Sequence, residues 1–179
     1  MRKTNSMKVA LCGVIGGLCI TILVMGYLFP FATYACPAAA ACMIIPVLYE
    51  YRQKTAFTLY AAVSFLAIML VPEQEMVFMF IFVYGFYTVI KFSIDRIKNK
   101  AARFTAKFAY INISLIISYG LLLIVFPVAA LVNEFKGYTL AFTALLIAMF
   151  NLVFFLYDKM LERLLMIYVY RLRNKLFRK

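Results

Sequence analysis

Apolar runs long enough to cross a bilayer, divided by very short polar connections, leave this chain few ways to fold. A spanning helix needs roughly 20 consecutive apolar residues, and runs of that order follow one another along nearly all of the 179 residues. With 66% of its residues hydrophobic, the chain has too little polar surface to coat a soluble globule of its size. Within a bilayer each backbone amide and carbonyl must be paired inside the protein, and a helix does this within one segment. The expected architecture is therefore all-α: a polytopic membrane protein with six transmembrane helices over about 9–28, 38–48, 56–71, 76–90, 104–132 and 139–157. Residues 1–158 form the six-span bundle in this reading, and 159–179 a C-terminal basic amphipathic helix. There Leu161, Leu165, Tyr168, Leu172 and Leu176 recur at helical spacing beside Arg163, Arg171, Arg173 and Lys175, a pattern suited to the inner membrane surface.

Charge orients the bundle. The longest polar interruption, residues 91–107, carries Lys91, Arg96, Lys98, Lys100, Arg103 and Lys107 against one acid, Asp95. Short loops rich in Lys and Arg stay on the cytoplasmic side, so this segment reads as a cytoplasmic loop. In the six-span layout all but Lys136 of the 19 Lys and Arg fall on that side, with both termini. The net charge of +12 follows from this topology and from attraction to anionic membrane lipids, and no nucleic-acid partner is expected. Arg2, Lys3 and Lys8 precede an apolar run that ends near Thr33, Tyr34, Ala35 and Cys36, faintly like a processing site; the run is too long for a leader core and reads as the first span. Pro30 and Pro37 mark an irregular outer connection, Pro46 a bend in the second span and Pro127 a kink in the fifth.

The same residues narrow the chemistry. The chain has no histidine, the commonest general base and metal ligand, and no Gly-rich phosphate loop closing on Lys-Ser/Thr. It reads as a non-enzyme that needs no metal or cofactor. Cys12, Cys19, Cys36 and Cys42 have no ligand spacing and read as reduced packing residues. Asn112 and Asn151 sit at matching depth in the fifth and sixth spans, where an amide in hydrocarbon seeks a partner; facing each other, they form a clamp or contact a ligand. An outward pocket lined by Tyr34, Tyr84, Tyr87 and Tyr138, with Glu73, Gln74, Asn133 and Glu134 at its rim, is the candidate site for a small-molecule substrate. On the first span Ala10, Gly13 and Gly17 form a small-residue face that serves either internal packing or the docking of another membrane helix.

Six spans in a chain of this length, both ends inside, the small-residue face of the first span, and Pro46-Val47-Leu48-Tyr49 leading toward the third together resemble the S components of energy-coupling factor (ECF) transporters. The resemblance implies a substrate-binding subunit in a bacterial cell membrane that captures a vitamin-like micronutrient from outside. It also implies partners, an ECF coupling membrane protein and two ATPase subunits, with Ala10, Gly13 and Gly17 as the docking face. The layout is similar as well to MreD-like scaffold proteins of cell-shape or envelope assembly, which transport nothing.

Overall fold

The computed structural model describes residues 5–29, 32–125 and 140–172, and among them the chain is helical, with no strand. Among the described residues five helical stretches are long and apolar enough to cross a membrane: Asn5–Tyr27, Ile45–Leu70, Gln74–Asp95, Lys100–Leu122 and Ala144–Tyr170. Their outward faces carry large aliphatic side chains, with Val9 70%, Ile116 72% and Ile124 78% exposed. A water-soluble monomer rarely shows so continuous an apolar surface, whereas lipid tails cover it at no cost.

Helix α1 (Asn5–Tyr27) runs antiparallel to α2 (Ala35–Cys42) and the first turns of α3 (Ile45–Leu70). Gly26 meets Cys36, Cys19 donates its Sγ–H to the Ala40 carbonyl at 3.2 Å, and Met7 to Val14 pass beside Tyr51. Between α2 and α3, Met43 and Ile44 keep right-handed helical angles. The two helices therefore form one bent rod, its ladder interrupted at Pro46, which has no N–H.

Arg52 then turns the chain back. Its φ of 69° and ψ of 171° lie outside helical space, in a region populated almost only by glycine and costing about 1–3 kcal/mol for another residue. Beyond it the second arm of α3 returns along α1, so that Gly16 packs on Leu59 and Val63.

The next helix is α4 (Gln74–Phe78), widened into a π-helical stretch over Met79–Gly85 and continued as α5 (Phe86–Asp95). Widening spoils the regular carbonyl pairing, and neighbouring tyrosines make up the difference. Tyr60 Oη donates to the Ile81 carbonyl at 2.8 Å, and Tyr110 Oη to the carbonyls of Phe82 and Val83. Gly85 permits this approach, since a Cβ there would stand 2.7 Å from the Phe80 carbonyl oxygen and 2.9 Å from the Tyr60 ring.

Helices α6 (Lys100–Val125) and α7 (Leu140–Ile167) complete the described bundle, α7 passing into a π-helical turn over Tyr168–Leu172. The expected polar loop 91–107 is shorter than its charges suggest. Lys91 belongs to α5 and Lys107 to α6, both are buried, and only residues 96–99 connect the helices. Residues 159–172 likewise continue α7 instead of starting a separate element. Leu161 and Tyr168 are buried, and Tyr168 packs edge-on to Tyr49 at 5.9 Å. The Pro127 kink, Pro30 and the last seven residues lie outside the described residues.

Candidate functional site

Among the described residues three polar centres interrupt the apolar packing, one at each end of the bundle and one between. At the basic end, α5 places Tyr87, Lys91 and Asp95 four residues apart, hence on one face. Helix α7 presents Asp158 and Glu162 in the same way, and α6 supplies Lys107. Lys107 Nζ lies 2.7 Å from Asp158 Oδ2 and 2.8 Å from Asp95 Oδ1. Lys91 Nζ contacts Asp158 Oδ1, Asp95 Oδ2 at 3.3 Å and Glu162 Oε1 at 3.5 Å. Two cations and two anions thus alternate around a closed ring, and Tyr87 Oη donates to Asp158 at 2.6 Å.

The ring is electrically balanced, which is the condition for burying charge at all. Its net gain over apolar packing is small, because desolvation offsets attraction. What it does supply is register among α5, α6 and α7, since no single helix can slide without uncovering a charge. A small cavity of about 220 Å³ adjoins it, walled by Lys91, Asp95 and Glu162 with Ile45, Thr88 and Leu161.

Midway, Asn112 and Asn151 face each other as the sequence led us to expect. Asn112 Nδ2 donates to Asn151 Oδ1 at 3.3 Å, and Asn151 Nδ2 returns a bond to Asn112 Oδ1 at 3.4 Å. The second proton of each amide goes to the carbonyl four residues back, on Phe108 and Ile147. Both amides are thereby committed to the protein.

The acidic end is built differently. Thr33 donates to Glu73 at 2.9 Å, while Tyr34 and Tyr119 both donate to Oε1 of Glu75, at 2.8 and 3.0 Å. Neither carboxylate has an ion-pair partner among the described residues. Burial pushes the Tyr34 phenol up to about 12, so it remains a donor at physiological pH. Its ring stands edge-on to Phe150 at 5.4 Å, tying this end to α7.

The candidate pocket residues are therefore dispersed. Tyr34, Glu73 and Gln74 share the acidic end, where Gln74 Nε2 donates to the Val71 carbonyl. Tyr84 is buried lower down, edge-on to Tyr157 at 4.9 Å. Tyr87 belongs to the ionic ring at the opposite end of the same helix. Asn133, Glu134 and Tyr138 lie outside the described residues.

On α1, Ala10, Gly13 and Gly17 are exposed, and a Cβ added to either glycine would meet nothing within 4 Å among the described residues. Gly16, turned the other way, is the α1 glycine that packs internally in this region. Sequence reading missed the ring, although Asp158, an isolated acid at the end of a long apolar run, was its visible signal. No protein-family model, no curated protein and no solved structure matches this chain.

Proposed function

We propose that this chain is a six-pass membrane protein with both termini inside a bacterial cell, and that it serves as the substrate-binding subunit of an ECF-type micronutrient uptake transporter. The reversal at Arg52 supports the sixth pass, because it divides Ala35–Tyr51 from the returning arm of α3. Positive-inside asymmetry places the basic end in the cytoplasm and the carboxylates Glu73 and Glu75 outside.

The observation that carries the reading is the open face of Ala10, Gly13 and Gly17. A chain with no nucleotide-binding motif does not itself draw on ATP, and a backbone-exposing stripe on a peripheral helix is what a coupling protein's helix grips. The expected partners are that coupling membrane protein and two ATPase subunits, and the expected ligand is a small micronutrient-like molecule received at the acidic end.

A second reading, the MreD-like scaffold, draws on the filled interior. Tyr87 packs on Phe154 at 4.5 Å and on Tyr110 at 5.3 Å, leaving that level of the bundle solid.

One preparation separates the two readings. The wild-type protein, purified gently from its own cells, should carry a small molecule detectable by native mass spectrometry and bring with it chains bearing ATPase motifs. Gly17→Leu should abolish that association and leave the bound molecule in place. Absence of both molecule and ATPases from the wild type would favour the scaffold.

A further inference from the structure

At the basic end a cleft of about 1110 Å³ opens between α1, the Arg52 turn and α5, with Lys8, Arg52, Lys54 and Arg96 on its walls. Among the described residues none of these four cations forms an ion pair. The acid on the wall, Asp95, is already engaged by Lys91 and Lys107. The cleft is therefore positively charged with its charges unspent. Arg52 is also the single non-glycine residue with positive φ among those described, and such strain is retained where a side chain's position matters.

A second feature adjoins the first. Tyr51 lines both the cleft and a groove of about 270 Å³ along α1, walled otherwise by Met7, Ala10, Leu11 and Val14. The groove contains no charged side chain, and it runs from the cleft along the outer side of α1, where Val9 and Val14 are exposed.

We propose that the two together bind one anionic phospholipid, its phosphate in the cleft among Lys8, Arg52, Lys54 and Arg96 and an acyl chain along Met7 to Val14. A soluble phosphate ligand would use the cleft and leave the groove empty; a lipid uses both. Clusters of Lys and Arg at the cytoplasmic boundary draw anionic headgroups, and here the cluster is concave and placed beside a slot for the chain. The site rests on membrane insertion and not on the transport reading; it shares Ala10 with the proposed docking face, while Gly13 and Gly17 lie outside its walls.

The test uses the full chain in mild detergent with three probes: phosphatidylglycerol, phosphatidylcholine and soluble glycerol phosphate. Native mass spectrometry should show phosphatidylglycerol retained at least about ten-fold better than phosphatidylcholine, with glycerol phosphate unable to displace it at equal concentration. Each basic residue removed should weaken retention about five-fold, so Lys54→Ala with Arg96→Ala should cost about twenty-five-fold. Arg52→Gly is the decisive variant, since glycine relieves the backbone while removing the charge. It should lower retention about five-fold with no fall in the unfolding midpoint. Gly17→Leu should leave retention unchanged, which keeps this result separate from the docking reading. Equal retention of the two lipids, displacement by glycerol phosphate, or an Arg52→Gly variant that holds phosphatidylglycerol as well as the wild type would each overturn the proposal.

Discussion

At the basic end, Lys91, Asp95, Lys107 and Asp158 alternate in sign and are held together, Asp95 half-buried and the other three buried, whereas at the acidic end Glu73 and Glu75 are held by the neutral hydroxyls of Thr33, Tyr34 and Tyr119. The first arrangement ties three helices with mutual charge, and removing one member strands the others. The second leaves net negative charge on groups whose partners can rotate away singly. One end of the bundle is locked, and the other is fastened by bonds that can be exchanged one at a time. A protein that receives a ligand at one end and meets a partner at the other would be divided in this way.

The largest expected effect is all-or-none and concerns which end faces which side. With the native cysteines replaced, Pro72→Cys at the acidic end should react with an impermeant thiol reagent in intact cells, and Lys98→Cys at the basic end should not. The reverse pattern would exchange the roles of the two ends.

Next comes the strength of the lock. Asp158→Ala leaves Lys91 and Lys107 buried with Asp95 as their main counter-charge, and removing one partner of such a group costs about 3–5 kcal/mol. A large fall in the unfolding midpoint in detergent is expected, partly restored when Lys91→Met is added. No change in midpoint would mean that the ring does not hold the basic end.

A smaller effect is expected between the ends. Asn112→Leu deprives Asn151 of both bonds of the pair and should cost about 1 kcal/mol in membrane stability. The paired change Asn112→Leu with Asn151→Leu should cost less than the two single changes added, a coupling that a double-mutant cycle measures. Least affected should be Glu75→Gln, which keeps a carbonyl oxygen for Tyr34 and Tyr119 and should shift stability by no more than about 0.5 kcal/mol. A loss comparable with that of Asp158→Ala would show the acidic end to be as firmly locked as the basic one.

Helical class, the approximate runs and the Asn112–Asn151 pairing were legible from composition, run length and depth, because each depends on local apolarity or on a rise that helices keep constant. The turn near Arg52 was legible from its charges; the spacing of Gly13 and Gly17 gave a small-residue face but not whether it packs internally or lies open. Partnership across distance was not legible. Lys91 and Lys107 read as loop cations because charge near a span end is ordinarily solvated, and their counter-ion Asp158 lies 67 and 51 residues away in sequence. The candidate pocket was dispersed for the same reason: Tyr34 and Tyr87 look alike as amphipathic rings, and their membership of opposite ends depends on which carboxylate each hydroxyl reaches. Sequence alone determined that these helices form and that their apolar faces must be covered by one another or by lipid, since hydrophobicity and backbone hydrogen bonding are properties of each segment. Packing decided which charges neutralise one another, because the energy of a buried ion depends on its neighbours in space, and helices far apart in sequence bring those neighbours together.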